Sequence, residues 1–280
     1  MTEKRKNKKV KNNEEMSFWE HLEILRWHFI RSVIVVSILT IVAFIYKDII
    51  FDKIILAPKE PDFITNKFFC WLGAKVNIDY LCINNVSLRL INTEMSGQFT
   101  LHIWISIISG LIISIPYILW EIWRFVKPAL NEKERKYSSG FVFITSFLFL
   151  SGVVFSYYII VPLTVNFFVT YSVSNIVENY ISLSSYINTI SSLCFATGLV
   201  FLFPVLVYFL TRIGILAPSF LSRNRKYIIV IILIIAAIIT PPDVFSQIMV
   251  TIPLYALYEL SIFISKSVYK RIKKQETVTN

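Results

Sequence analysis

Along the chain, apolar runs bounded by charge recur near residues 28–46, 97–120, 138–161, 190–211, 227–240 and 247–264. The run from Gly97 to Trp120 holds no Asp, Glu, Lys or Arg in 24 residues, and about 20 apolar residues suffice to cross a bilayer. Segments this uniform predict transmembrane helices, six in number. They are separated by a long loop (47–96), a polar hinge (121–137), a charge-poor loop (162–189), a basic hinge (212–226) and a Pro-rich turn (241–246). The fold class that follows is all-α, a polytopic membrane protein. Its membrane domain runs over residues 16–269, between a disordered basic tail (1–15) and a cytoplasmic tail (270–280).

Two features shape that bundle. The fifth run, Tyr227 to Thr240, has 14 residues, which at about 1.5 Å rise covers roughly 21 Å of a hydrocarbon core near 30 Å thick. Mismatch of this kind thins the bilayer or recruits a covering helix. Pro116, Pro204 and Pro253 fall inside spans, each removing a backbone hydrogen bond and favouring a kink, so the helices are expected to curve into a concave wall. The chain has no strong internal repeat, which counts against transporter folds built from inverted halves.

Composition agrees with lipid as the main solvent: 55% of residues are hydrophobic and 16% charged, against roughly 25% charged in an ordinary soluble domain. The net charge of +10 does not mark a nucleic-acid partner, because the basic residues sit beside hydrophobic spans instead of forming a stripe. Counted by side, the N-terminal tail to Arg31, both hinges and the C-terminal tail hold 22 Lys and Arg. The other side holds six, all in the 47–96 loop and balanced there by six acids. By the positive-inside rule both termini and both hinges are cytoplasmic. The first span is not followed by a signal-peptidase site and is retained.

Candidate chemistry is sparse. The histidines His21, His28 and His102 and the cysteines Cys70, Cys82 and Cys194 lack metal-ligand spacing, and no nucleophile elbow, P-loop or zinc-protease motif occurs. No catalytic residue, metal or cofactor is implied. Cys70 and Cys82 form either a disulfide, if their loop faces an oxidising compartment, or two free thiols. Glu259 lies in the inner part of the sixth span. A carboxylate deep in a bilayer costs on the order of 3 kcal/mol, so it faces protein or water, carries a proton, or lies near enough to Lys266 to be solvated.

Three polar sets stand at the borders of spans. The first, Phe18-Trp19-Glu20-His21-Leu22-Glu23-Ile24-Leu25-Arg26, leads into span one, with Leu22, Leu25 and Phe29 at helical spacing as an interfacial helix would have them. The second runs from Trp123 through Phe125 and Pro128 to Glu132, Glu134 and Arg135. The third, Thr240-Pro241-Pro242-Asp243-Val244-Phe245-Ser246-Gln247, ends span five and places Asp243 where an N-cap would sit.

At these three sets the chain resembles the TatC family of the twin-arginine translocase, whose members read approximately F-x-x-H-L-x-E-L-R, then W-x-F-x-x-P-A-L-x-x-x-E-R, then T-P-P-D-x-x-S-Q. The resemblance extends from about Phe18 to Tyr269. It implies export of folded proteins driven by the protonmotive force, with twin-arginine signal peptides recognised at the cytoplasmic face. By it Glu134 is the acid that meets the arginines, Phe125 and Pro128 shape the same surface, and Glu23 and Arg26 contribute from the N-terminal helix. The family's second acid aligns with Ile24, one position after Glu23, and its polar residue in span four aligns with Leu202. No polar function is carried onto span four. Thr240 and Gln247 match residues near the docking site of small single-span subunits resembling TatA and TatB; Asp243, Glu259 and Pro58 are structural or mechanistic candidates.

The implied home is the bacterial cytoplasmic (inner) membrane, or else an organellar membrane. The partners are those subunits, signal peptides of folded cargo, lipid, and further copies of the chain within a hetero-oligomer, with no nucleic acid. The rival reading is a proton-coupled secondary transporter of a small solute using Glu259, which lacks a second intramembrane charge. An intramembrane enzyme is remote.

The orientation is checked by thiol labelling of intact cells. Cysteines introduced as Glu132→Cys and Ser222→Cys are expected to be protected from an impermeant reagent outside, and Glu178→Cys to react; outside labelling at 132 inverts the topology.

Overall fold

The computed structural model describes residues 18–76, 82, 88–126, 138–174, 179–240 and 244–279. Among them, five helical segments are long and apolar enough to cross a membrane: Leu22–Ile45, Gly97–Val126, Gly140–Thr170, Leu183–Arg212 and Ser246–Lys270. The polytopic, essentially all-helical membrane fold is therefore present. The expected fifth span is the 15-residue helix Arg225–Ile239, about 22 Å long at 1.5 Å per residue.

Helix α1 (Phe18–Ile45) lies along α3 (Gly97–Val126), with α2 (Ile64–Val76) in the loop between them. The closest approach is at Gly110, where an added Cβ would stand 2.5 Å from Thr40 Oγ1 and 2.7 Å from the Thr40 backbone nitrogen. Small residues let backbones meet where lipid supplies no hydrophobic drive for association. Helix α4 (Ser138–Phe155) passes through a π-helical turn, Ser156–Ile160, into α5 (Val161–Thr170). That continuation occupies the start of the stretch expected to be a loop. Helices α4 and α6 (Leu183–Val200) are likewise joined through small residues, since Gly198 faces the Phe149 ring at a distance that leaves no room for a Cβ.

Span four is kinked just ahead of its proline. After α6 the chain turns at Phe201 and Leu202 and restarts as α7 (Phe203–Arg212), with Pro204 in its first turn, where a missing N–H costs nothing. The short α8 (Pro218–Arg223) and α9 (Arg225–Ile239) follow. Helix α10 (Val244–Thr279) carries Pro253 inside it and remains helical through most of the segment expected to be a tail. The main core lies between α4–α5, α6, α7, α9 and α10, around Ile160, Ile187, Val207, Ala236, Val250 and Tyr258.

The long 47–96 loop is a folded cap. It contains a π-helical turn (Ile49–Ile55), a 3-10 turn (Ala57–Lys59) holding buried Pro58, and α2, and a disulfide joins Cys70 to Cys82. Its two-residue strand β1 (Leu90–Ile91) pairs in parallel with β2 (Ile181–Ser182). The end of a helical turn leaves its last carbonyls without partners, and side chains take carbonyls of both π turns here. Tyr157 donates to the Ile54 carbonyl at 2.6 Å and Tyr186 to that of Ile55 at 3.0 Å, while Thr65 donates to the Tyr158 carbonyl. The two π turns thus interlock cap and bundle. The N-terminal tail lies outside the described residues.

Gly110→Ala drives a methyl group against the Thr40 backbone, where no flexible side-chain end can yield. The expected loss is about 1–3 kcal/mol, read as a lower unfolding temperature in detergent; a variant as stable as the parent would show that α1 and α3 separate without cost.

Candidate functional site

Just inside the first and second polar sets, where α3 ends beside α1, lies a buried carboxylate. Glu121, which the charge pattern assigned to a solvated hinge, is 1% exposed. Its Oε1 accepts a hydrogen bond from the Tyr117 hydroxyl at 2.8 Å, one turn earlier on α3, and its Oε2 is bound by Nδ1 of His28 on α1. Both oxygens are therefore engaged, as a carboxylate removed from water requires. The His28 ring also stands edge-on to Phe125, with centroids 6.0 Å apart.

Helical geometry then orients the rest of α1. Glu23 precedes His28 by five residues, about 140° around the axis, and Arg26 by two, about 200°. With His28 turned to α3, Glu23 and Arg26 project away from that contact, and both are exposed. The structure thus joins His28 to Phe125, whereas Glu23 and Arg26 occupy the outer side of the same helix. Pro128 and Glu134 lie outside the described residues.

Both ends of the segment that carries Glu134 are nevertheless fixed. Trp123, 8% exposed, stacks on Phe141 of α4 with centroids 4.2 Å apart. Phe141 in turn meets Phe209 of α7 edge-on at 5.1 Å, and Trp123 approaches the same ring at 5.8 Å. The chain leaves this aromatic cluster after Val126 and re-enters it at Ser138. Arg124 lies over the Trp120 ring at 5.5 Å, adding a cation to the same helix end.

At the α9–α10 corner, Thr240 is 6% exposed and its hydroxyl donates to the Ala236 carbonyl at 2.8 Å. The Gln247 side-chain amide donates to the Leu233 carbonyl at 3.2 Å, tying α10 to α9. Asp243 lies outside the described residues. Glu259, its side chain 35% exposed, is bonded on both oxygens: Arg225, at the start of α9, donates to its Oε2 at 3.0 Å and Tyr255 to its Oε1 at 3.0 Å. Pro58 is buried in the cap, with the Asn66 amide donating to its carbonyl at 3.4 Å and to that of Glu60 at 2.8 Å.

A cavity of about 500 Å³ between α5 and α6 is lined by Val161, Thr164, Phe168, Ser185, Tyr186 and Thr189 among others, with no charged side chain. It offers hydroxyls and apolar walls. Among the described residues no cluster of His, Cys, Asp or Glu suits a metal ion. The pair that sequence reasoning missed is His28–Glu121. Its signal was a Tyr and a Glu four residues apart at the end of an otherwise uncharged run, with a lone histidine inside the opposing span.

Residues 20–253 match the family model of TatC, the Sec-independent protein translocase protein. A TatC from a Blattabacterium of Periplaneta americana is 42% identical over 261 residues, spanning 92% of this chain and 97% of its own. A TatC from Desulforapulum autotrophicum is 33% identical over 90% of this chain and 85% of its own. Two crystal structures described as the twin arginine translocase receptor TatC, the second in DDM, superpose with TM-scores of 0.61 and 0.67 at 32% identity. They cover 89% and 88% of this chain and each 99% of their own.

Trp123→Leu removes two ring contacts, each worth about 0.5–1.5 kcal/mol beyond the buried area, and is expected to destabilise the solubilised protein by about 1–3 kcal/mol. Trp123→Phe keeps a ring against Phe141 and is expected to lose less than half of that in the same thermal melt. Equal losses would assign the effect to volume and not to stacking.

Proposed function

We propose, because this chain belongs to the TatC family of Sec-independent protein translocases, that it is the subunit that recognises twin-arginine signal peptides and passes folded proteins across the bacterial inner membrane using the protonmotive force. The observation that carries the reading is the junction of α1 with α3 through His28, Glu121 and Phe125. It sets the N-terminal helix beside the root of the 127–137 segment, which bears Glu134. Solved relatives described as twin arginine translocase receptors share the fold, and the charge pattern puts this junction on the cytoplasmic side. A disulfide in the 47–96 cap suits the opposite, oxidising side.

Recognition rests on the chemistry of arginine. A planar guanidinium makes two parallel hydrogen bonds to one carboxylate, which an ammonium does not reproduce. Glu134 is the acceptor in this reading, with Phe125 and Pro128 supplying the adjoining surface. Glu23 and Arg26, about 60° apart on the outer side of α1, take a secondary part. Small single-span subunits resembling TatA and TatB dock along α9, near the corner that Thr240 and Gln247 brace, and several copies of the chain assemble with them. In this reading Asp243 keeps the capping part that its place in the sequence suggests, and Glu259 holds α9 to α10 through Arg225. Neither role calls for a nucleotide or another cofactor.

Hydrogen bonds to charged groups are worth roughly 1.5–3 kcal/mol, so Glu134→Ala is expected to weaken a twin-arginine peptide about ten- to a hundredfold. A twin-lysine peptide, bound poorly from the start, is expected to change little. The measurement is peptide binding to the detergent-solubilised protein, as a double-mutant cycle pairing Glu134 and Glu23 with each arginine. Parent-like binding of both peptides to intact Glu134→Ala would refute the assignment; a larger loss at Glu23→Ala would move the contact to α1.

A further inference from the structure

We infer that His28 and Glu121 are a positioning pair for the signal-peptide receptor: their bond fixes the rotation of α1 against α3 and thereby the face that the N-terminal helix shows to the peptide. The inference rests on the receptor reading above and adds residues that do not themselves touch the peptide. Glu121, at 1% exposure, is out of a ligand's reach. Its two oxygens are taken by Tyr117 of its own helix and by His28 of α1.

The neighbouring contacts of α1 are smooth. Around His28 the exposed residues of α1 are Leu25, Trp27 and Phe29 together with Arg26 and Arg31; apolar surface in lipid does not choose one rotation over another, and long arginine side chains reach water from a range of rotations. Thr40 against Gly110 and the Phe44 carbonyl against His102 anchor the far end of the helix, beginning about 18 Å from His28, and leave the angle at its start to local contacts. A directional bond between a ring nitrogen and a carboxylate does fix it, because a shift of one residue turns the helix about 100° and leaves Glu121 buried and half satisfied. Polar pairs of this type add little net stability over an apolar replacement but select one register. The same ring packs on Phe125, so the pair also places the last turn of α3, from which the 127–137 segment departs.

The test uses the full chain in detergent, a fluorescent twin-arginine peptide, and nitroxide labels at the exposed positions 29 and 122. His28→Ala and Glu121→Ala are each expected to weaken peptide binding about three- to thirtyfold, the span of energetic coupling through packed networks, and to broaden the distance between the labels. The double variant is expected to lose no more than the worse single one. His28→Gln, whose amide can still donate to Glu121, is expected to bind within about threefold of the parent with a narrow distance distribution. Should the alanine variants fail to fold, the comparison of His28→Gln with His28→Leu carries the test, since Leu fills the site without a donor. Unchanged binding in His28→Ala and Glu121→Ala while Glu134→Ala loses it overturns the positioning pair and leaves the receptor reading standing. Equal loss in His28→Gln and His28→Leu also overturns it, because the bond is then not what matters. Unchanged binding in Glu134→Ala overturns the receptor reading itself.

Discussion

Hydrocarbon offers no partner to a polar group, so backbone groups and charges at membrane depth must find theirs within the chain. That single constraint decides which contacts hold this bundle together. Glu121 binds across to α1, Glu259 binds Arg225 across to α9, and Gln247 reaches the Leu233 carbonyl. Elsewhere carbonyls of two π turns are taken by Tyr157, Tyr186 and Thr65. Each of these bonds joins different helices or joins cap to bundle. Apolar surface fills the space between them but, with lipid equally apolar, gives little preference for one arrangement. Directional polar bonds and the close approaches at Gly110 and Gly198 supply that preference.

The same bonds make the bundle a firm frame. Trp123, Phe141 and Phe209 close the frame on both sides of residues 127–137, and the cap is tied down at several carbonyls and by one disulfide. A receptor for an extended peptide gains from such a base, because each residue ordered only on binding costs roughly 1–2 kcal/mol of backbone entropy. A small-solute carrier, by contrast, would need an intramembrane charge free to exchange its proton. Glu259 has a guanidinium and a phenol on its two oxygens, and the cavity between α5 and α6 has no charge among its lining residues.

What the sequence disclosed followed from solvent chemistry. Five spans were legible because lipid forbids charge over about 20 residues, and the family was legible because its three motifs stand at span ends. The cap was not, since its residues mix apolar and charged types without a period, and its shape comes from tertiary bonds to residues a hundred positions away, such as Tyr157 to Ile54. Glu121 was misplaced for a related reason: a charge ending an apolar run normally marks the water boundary, and only the approach of His28 from another helix makes burial affordable. Pro204 read correctly as a kink inside a span, because the turn at Phe201 and Leu202 falls where its missing N–H and its ring interrupt the helix.

The short α9 shows where this leaves the assembly. Its 15 residues reach about 22 Å, some 8 Å short of a typical hydrocarbon core, and at a fraction of a kcal/mol per Å the mismatch amounts to a few kcal/mol. Lengthening by tilt makes the shortfall worse, so only bilayer thinning or a neighbouring helix relieves it. Of its residues only Ile232 and Ala236 are buried, leaving most of the helix apolar and outward. The polar ties along it, Arg225 to Glu259 and the Leu233 carbonyl to Gln247, hold α9 in place against α10 and prevent it from sliding to find a thinner region. A single helix laid along that face would remove lipid from the mismatched surface without disturbing either tie, and that is the physical ground on which α9 is proposed as the docking edge.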